Sequence, residues 1–257
     1  MAALDDHALA ADLAERAGRL LLDLRARGGA PDALRNAGDR QSHEFLMKEL
    51  ARERPEDAVL SEEGLDDKAR LTAKRVWIVD PLDGTREFGE PERQDWAVHV
   101  ALWSREAPAS KGDLIAGAVA LPAQGRTLST ASATDQAAQV AERPLRMVVS
   151  RSRASQLVKD VATLINAELV PCGSAGAKAA TVITGENDVY LHSGGFYEWD
   201  TAAPVAVARA SGFHVSRIDG SQLAYNQEDP LLPDILVCRP AIADLLLNAI
   251  RETKHAI

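Results

Sequence analysis

Two carboxylates stand at the end of an apolar segment in the sequence VWIVDPLDGTREF, which runs from Val76 to Phe88. Asp80 follows the apolar residues, and Asp83 comes three positions later. Buried carboxylates are costly unless they are paired or bound to a cation. Pro81 disfavours a helix at Asp80, so the chain should turn here and bring both carboxylates toward one point. The pattern therefore predicts a site for a divalent cation.

The next two residues suit an anion beside that cation. Gly84 lets another backbone approach closely, and Thr85 is expected to cap the start of a helix. The free N–H groups at a helix start can bind a phosphate, which a divalent cation could bridge to the carboxylates. The alternative is a solvated turn with a helix cap, because Asp, Pro and Gly are common in turns.

Acids from separate segments strengthen the prediction of a metal site. Glu62 and Glu63 follow the apolar strand AVL, while Asp39 and Asp200 are expected at the starts of two helices. Each alone would be a surface residue or a cap. Hard divalent ions take several oxygen ligands from different places. Three or four converging acids could hold more than one Mg²⁺, as in two-metal phosphoryl chemistry.

The elements that must position these acids form two halves. Leucines at helical spacing predict a helix from about residue 3 to 27, and a second helix is expected from Asp39 or Arg40 to Pro55. A run of strands follows, whereas strands and helices alternate in the second half, which indicates an α/β layered arrangement. The pattern loosens near TDQAAQVAERP. We predict an N-terminal α+β subdomain over residues 1–142 with the metal-binding acids. A C-terminal α/β subdomain over 143–257 should complete the metal site and bind substrate.

Composition limits the partners. The chain has 257 residues and a formal net charge of -9, which argues against binding a nucleic-acid polymer by bulk electrostatics. Cys172 and Cys238 form no disulfide or zinc pattern. We see no secretory signal and no apolar run long enough to cross a bilayer, so we expect a cytoplasmic protein that does not bind a membrane.

Several other chemistries do not fit the sequence. Phosphatases of the haloacid dehalogenase type carry D-x-D-G-T, a spacing that D-P-L-D-G-T does not match. No G-x-S-x-G nucleophile motif and no G-x-x-x-x-G-K-[ST] loop is present. The six histidines show no zinc-binding pair, and His99 is expected to be a packed residue of its strand.

The segment WIVDPLDGTREF, with SEE upstream and EWDTAAP downstream, resembles the inositol monophosphatase superfamily of Mg²⁺-dependent phosphatases. The resemblance covers nearly the whole chain. It implies an α-β-α-β-α sandwich and a cofactor of two or three Mg²⁺ ions. It also implies direct in-line attack on phosphorus by a metal-activated water, without a phosphoenzyme.

The resemblance also assigns residue roles. It implies that the metal ligands are Glu62, Asp80, the backbone carbonyl of Leu82, Asp83 and Asp200. Asp39 and Thr85 would position and activate the attacking water, and Glu62 would assist catalysis. The amides of Gly84 and Thr85 would hold the phosphate. The family often has a threonine shortly before the residue matching Asp39, but here the stretch reads LRNAGD.

The segment VVSRSRAS concerns the substrate. It places Ser150, Arg151, Ser152 and Arg153 directly after a strand, where they could hold a second phosphate or form only a polar loop and helix cap. A similar stretch marks the bisphosphate nucleotidases, which cleave 3'-phosphoadenosine 5'-phosphate to AMP. In that branch a Ser and a Lys contact the nucleotide, and here they would be Ser174 and Lys178, with Asp200 also near the substrate.

The resemblance therefore predicts a phosphatase for a small phosphate ester, an adenosine bisphosphate, in sulfur assimilation, with its sulfated form as a second candidate substrate. Inositol monophosphatase or fructose-1,6-bisphosphatase activity is the alternative within the superfamily. A non-catalytic metal or nucleotide sensor is a third hypothesis, which predicts that a metal ligand is missing. A homodimer is compatible with the resemblance, although the sequence does not fix the oligomeric state.

Overall fold

A computed structural model describes residues 4–107, 112–133, 143–152 and 154–255. The first half contains α1 (Asp6–Ala26), α2 (Pro31–Glu53), β1 (Ala58–Ser61), β2 (Arg75–Asp83), α3 (Thr85–Phe88), β3 (Ala97–Ser104), β4 (Asp113–Leu121) and β5 (Arg126–Ser129). The second half contains β6 (Arg146–Ser150), α4 (Gln156–Leu164), β7 (Glu168–Cys172), α5 (Ala175–Ile183), β8 (Val189–Tyr197), α6 (Glu198–Ala210), β9 (His214–Ser216), β10 (Leu231–Cys238) and α7 (Ala243–His255).

The first sheet has the strand order β1-β2-β3-β4-β5. Only the β1–β2 pair is parallel, and the other neighbours are antiparallel. Successive side chains of a strand point to opposite faces. Trp77 and Val79 of β2 therefore pack with the apolar residues of α1 and α2, whereas Val76 and Ile78 pack in the core that contains α5 and α6.

The second sheet has the strand order β7-β6-β8-β10-β9. One face contributes Val148 and Tyr190 to the core shared with α5 and α6, and the other contributes Met147 and Leu191 to a cluster with α4 and α7. The layers are thus two helices, a sheet, two helices, a sheet and two helices. The predicted α-β-α-β-α sandwich is confirmed.

Several predicted element boundaries were wrong. Helix α2 begins at Pro31 rather than near Asp39, because proline with its fixed φ suits the first helical turn. Asp39 therefore lies inside α2. Thr85 is the first residue of α3 rather than its cap, which is Gly84. Strand β2 continues through Pro81 to Asp83, with a shift in its register against β3 after Asp80.

Two sequence predictions concern residues that the structure does not describe. The predicted subdomain boundary at 142/143 adjoins residues 134–142, which lie outside the described residues, so the division stays a prediction. Arg153 also lies outside them. Within the described ranges, none of the helices combines the length and the apolar character needed to cross a bilayer.

Candidate active site

Three carboxylates converge where the two halves of the chain meet. Asp80 and Asp83 lie at the end of β2, and Asp200 is the third residue of α6. One oxygen from each of the three lies within 4.8 Å of the others. The structure therefore brings Asp200 together with two acids that lie more than a hundred positions earlier in the sequence, in an arrangement that could hold a metal ion.

The cluster carries negative charge that the surrounding protein does not fully balance. Desolvation, followed by the charges of Glu62 and Asp83, raises the pKa of the buried Asp80 well above its ordinary value. Desolvation and the charge of Asp83 raise the pKa of Asp200 to about 6. Glu62 is an exposed residue, but the protein around its carboxylate desolvates that group and raises its pKa to about 7. The charge of Asp200 raises this pKa further. A bound cation would relieve this repulsion.

Asp83 has a different environment from its neighbours. The backbone N–H groups of Ala175 and Gly176, at the start of α5, donate to its carboxylate over 3.2 and 2.7 Å. The Nε2 atom of His99 lies 3.2 Å from its Oδ2. Burial alone would raise the pKa of Asp83, but His99 and these contacts lower it to about 2. Asp83 is therefore held as an anion, the form that a metal ligand needs.

Asp39 and Thr85 form a pair beside the cluster. The Thr85 hydroxyl lies 3.1 Å from Oδ1 of Asp39 and 3.0 Å from the carbonyl oxygen of Leu82, so it can donate to either. Burial and the charge of Glu63 raise the pKa of Asp39 to about 6, although the Thr85 contact lowers it. A carboxylate with this pKa can accept a proton near neutral pH.

Gly38 explains how α2 brings Asp39 so close. A Cβ at Gly38 would lie 2.8 Å from side-chain atoms of both Leu82 and Phe88. Any larger residue would therefore push α2 away from the turn that carries Thr85. The sequence departs from the usual family pattern before Asp39, but the Gly38–Asp39 pair still delivers the carboxylate.

Gly84 joins the two halves of the site. Its φ is +86°, and an added Cβ would lie 3.0 Å from Cβ of Ser174 and 3.3 Å from the carbonyl oxygen of Asp95. Only glycine meets both the left-handed backbone and the close approach.

A cavity of about 650 Å³ opens over these residues. Its lining includes those predicted metal, phosphate and substrate residues that the structure describes: Glu62, Asp80, Leu82, Asp83, Gly84, Thr85, Ser150, Arg151, Ser152, Ser174, Lys178 and Asp200. Asp39 is not part of this lining, but it accepts a hydrogen bond from Thr85, which is. Aromatic residues line the cavity as well, and the rings of Tyr197 and Trp199 stack with centroids 4.7 Å apart. The cavity thus offers both carboxylates for a metal and flat apolar surface.

Arg151 reaches this cavity from the end of β6, but its charge is shared with two acids of the other half. Its guanidinium donates to Glu87 over 2.7 Å and to the two carboxylate oxygens of Glu90 over 2.9 and 3.0 Å. The contact with Arg151 is also the main cause that lowers the pKa of Glu90 to about 2. A phosphate that binds Arg151 must share it with these carboxylates or displace them.

Ser174 and Lys178 shape the turn before α5. The Ser174 hydroxyl accepts the N–H of Ala177 over 2.8 Å and so caps the helix. Lys178 is buried, and its Nζ donates to the carbonyl oxygens of Gly173 and Ser174. Both residues therefore hold the cavity wall together, and any contact that they make with substrate would be added to this structural role.

His99 was expected to be a packed residue, and its contact with Asp83 was missed. It is fully buried on β3, where its Cα pairs with Asp80 across the sheet. Its Nδ1 lies 3.1 Å from the carbonyl oxygen of Trp199. A correct β2–β3 register would have placed it next to the acids, but the sequence does not state that register.

Comparison with known proteins identifies the group to which this arrangement belongs. Residues 9–255 match the sequence model of the inositol monophosphatase family. The chain belongs to the inositol monophosphatase family. The resemblance drawn from DPLDGT and the downstream WD pair is thereby confirmed.

Curated relatives within this family are nucleotide phosphatases by name. A 3'-phosphoadenosine 5'-phosphate phosphatase of Mycobacterium leprae is 50% identical over 98% of this chain and 95% of its own. The 3'(2'),5'-bisphosphate nucleotidase CysQ of Escherichia coli is 31% identical over 76% of this chain and 81% of its own. These names confirm the resemblance to the bisphosphate nucleotidase branch.

Solved structures confirm the fold. Inositol monophosphatase II of Staphylococcus aureus superimposes with a TM-score of 0.80 at 20% identity, covering 95% of this chain and 94% of its own. CysQ of Bacteroides thetaiotaomicron gives a TM-score of 0.74 at 27% identity, covering 90% of this chain and 96% of its own.

Proposed function

We propose that this protein is a Mg²⁺-dependent phosphatase that hydrolyses 3'-phosphoadenosine 5'-phosphate to AMP and phosphate, in sulfur assimilation. The observation that carries the proposal is the 50% identity, over 98% of the chain, to the M. leprae protein of that name. The carboxylate cluster and its cavity support it, because Asp80, Asp83 and Asp200 converge within 4.8 Å and line one cavity with Glu62 and Leu82. The sensor hypothesis requires a missing ligand and is therefore disfavoured. The sulfated form of the nucleotide is a candidate second substrate.

The donor set fits Mg²⁺. The ligands would be Glu62, Asp80, the carbonyl of Leu82, Asp83 and Asp200, all of which offer oxygen. We infer two or three ions, since a single ion would not balance the charge of four carboxylates. When bound, Mg²⁺ would lower the pKa of the attacking water and stabilise charge on the phosphoryl group.

The protein's own residues orient the reaction. The Thr85 hydroxyl donates to Asp39, so its oxygen can accept a hydrogen bond from the attacking water and aim it at phosphorus. Asp39 can take the proton of that water, because its pKa of about 6 lies near neutral pH. The amides of Gly84 and Thr85 would hold the phosphate in line. As the bond between phosphorus and the 3' oxygen breaks, that oxygen takes a proton from solvent water and leaves as the 3' hydroxyl of AMP.

The second half of the cavity would hold the rest of the nucleotide. Ser150, Arg151 and Ser152 lie at one edge and would bind the 5'-phosphate, while the Ser174 and Lys178 wall borders it. Bidentate guanidinium contacts suit a phosphate. The stacked rings of Tyr197 and Trp199 offer a face to the adenine base. We also propose that the protein works in the cytoplasm. We propose further that it forms a homodimer, and sedimentation velocity would test the oligomeric state.

A substrate panel tests the proposal. We expect kcat/KM with Mg²⁺ to be highest for 3'-phosphoadenosine 5'-phosphate, compared with inositol 1-phosphate and fructose 1,6-bisphosphate. Preference for inositol or fructose phosphate would leave the carboxylate chemistry intact but reject the nucleotide assignment. Binding of the nucleotide without turnover in Mg²⁺ would favour a sensor.

Arg151→Ala should weaken turnover of the bisphosphate more than that of a monophosphate such as 3'-AMP. A charged hydrogen bond contributes about 1.5–3 kcal/mol. The expected loss in kcat/KM is therefore about 10- to 100-fold for the bisphosphate, with little change for 3'-AMP. Steady-state kinetics on both substrates measure the difference.

Glu90→Gln is the matched control, because it removes a partner of Arg151 and keeps the guanidinium. We expect it to retain or improve bisphosphate turnover, since Arg151 becomes more available to phosphate. If Arg151→Ala lowered kcat/KM equally for both substrates and Glu90→Gln did the same, Arg151 would only join α3 to β6.

A further inference from the structure

His99 lies between two parts of the carboxylate cluster, the end of β2 and the start of α6. Its ring is fully buried, with Nε2 3.2 Å from Oδ2 of Asp83 and Nδ1 3.1 Å from the carbonyl oxygen of Trp199. Asp200 is the next residue after Trp199. One ring therefore touches the carboxylate at the end of β2 and the backbone at the start of α6.

The contact between His99 and Asp83 is short but not aligned as a hydrogen bond. Nε2 is buried and no acceptor within the described residues meets hydrogen-bond geometry with it, although Oδ2 of Asp83 is within ion-pair distance. A buried nitrogen without a hydrogen bond costs free energy, because it has lost its contact with water. The negative charge of Asp83, 3.2 Å away, offsets part of that cost. The ring thus restricts where the Asp83 carboxylate can lie.

Gly176 provides the room for this ring. A Cβ at Gly176 would fall well inside contact distance of His99 Nε2, with Cδ2 and Cε1 of the ring 3.0 Å away. The backbone N–H of Gly176 meanwhile donates to Asp83 over 2.7 Å. The ring and the start of α5 therefore hold the same carboxylate from two sides, and a glycine is needed for both to fit.

We propose that His99 is a positioning residue of the metal site: it fixes the Asp83 carboxylate relative to the first turn of α6, which carries Asp200, and so sets the distance between two metal ligands. This inference rests on the proposed metal-dependent function. Groups that orient a metal ligand typically change metal affinity by 10- to 100-fold when they are removed. His99 is not expected to contact the metal or the substrate.

The test measures metal binding directly, with Mn²⁺ as the probe and electron paramagnetic resonance of the free ion as the readout. His99→Leu removes both ring nitrogens and keeps apolar bulk, so Mn²⁺ should bind about 10- to 100-fold more weakly. His99→Gln keeps an N–H donor near the place of Nε2 and should recover most of that affinity. His214→Leu on β9, away from the cavity, is the matched control and should bind as wild type does.

Gly176→Ala is a second variant that leaves the imidazole in place. Its φ is not in the left-handed region, so alanine fits the helix backbone, yet its Cβ must displace His99. We expect a loss of Mn²⁺ affinity similar to that of His99→Leu, with the circular dichroism spectrum of the folded protein retained. This variant keeps the test valid if His99→Leu does not fold.

The possible outcomes separate this inference from the proposed function. If wild type binds Mn²⁺ but folded His99→Leu or Gly176→Ala binds it equally well, His99 does not position the site. Equal losses in His99→Leu and His99→Gln would mean that a donor at the place of Nε2 does not fix the Asp83 carboxylate, which also overturns the proposal. If wild type itself binds no Mn²⁺, the metal-dependent function fails and this inference with it.

Discussion

Asp83→Asn should lower kcat/KM for 3'-phosphoadenosine 5'-phosphate by about a thousandfold, because the amide removes a negative ligand from the proposed metal site. A bound metal contributes several kcal/mol of transition-state stabilisation, and each 1.4 kcal/mol is about a tenfold change in rate. Stability should change far less. The variant loses its contact with His99, but it also loses the repulsion between Asp83 and its neighbours Asp80 and Asp200 in the metal-free protein.

The measurement is kcat/KM as a function of Mg²⁺ concentration, together with the free energy of unfolding from urea titration. Asp188→Asn is a suitable control, since Asp188 is also buried but pairs with Arg143 and the backbone of Arg146, away from the cavity. It should lower stability without changing the Mg²⁺ dependence of turnover. If Asp83→Asn kept wild-type turnover at limiting Mg²⁺, the assignment of Asp83 as a metal ligand would be wrong.

The metal-free protein should become less stable as pH rises from about 4 to about 7. Five of the described carboxylic acids have raised pKa values in the folded state, with desolvation as the first cause: well above the ordinary value for Asp80, about 6 for Asp39 and Asp200, and about 7 for Glu62 and Glu198. An acid whose pKa is higher in the folded protein than in the unfolded chain stabilises the folded state fully at pH values below its unfolded pKa. This stabilisation is lost as the pH rises through the folded-state pKa. For the fully buried Glu198, a rise from 4.5 to about 7 corresponds to a free energy on the order of 3 kcal/mol.

The pKa shift of Asp83 has the opposite sign. Its pKa of about 2 lies below the ordinary value of 3.8, so its contribution to stability is present above that ordinary value and is lost as pH falls toward 2. Maximum stability of the metal-free protein is therefore expected near pH 4 to 5. Mg²⁺ should reverse the trend, because the ligands must lose their protons to bind it.

Differential scanning calorimetry at pH 5, 6, 7 and 8, with EDTA and with Mg²⁺, measures both effects. We expect Tm in EDTA to fall across this range, and the increase in Tm caused by Mg²⁺ to grow. Glu198→Gln should flatten the profile in EDTA, since burial raises the pKa of Glu198 even though the backbone N–H groups of Asn226 and Gln227 donate to its carboxylate and lower it. Equal Tm values in EDTA at pH 5 and pH 8 would contradict the raised pKa values.

The sequence by itself determined the layers of the fold and the identity of the acids. Strand alternation assigns Trp77 and Val79 to one face and Val76 and Ile78 to the other, and this pattern is local. The short-range rules for turns and caps also place carboxylates at the end of β2. The start of α2 was mispredicted because Pro31 at a first turn is a weaker signal than an acid before a run of helix-forming residues.

Only the tertiary structure decided what the side chains around the acids contact. Arg151 meets Glu87 and Glu90, which lie 64 and 61 positions earlier in the chain. His99 meets Asp83 and the backbone of Trp199, a residue 100 positions away. Periodicity and turn chemistry are set by neighbours a few residues apart, whereas these contacts depend on strand register and on how two sheets pack across α5 and α6. For that reason the sequence could name the proposed metal ligands, but only the fold shows how their positions and charges are held.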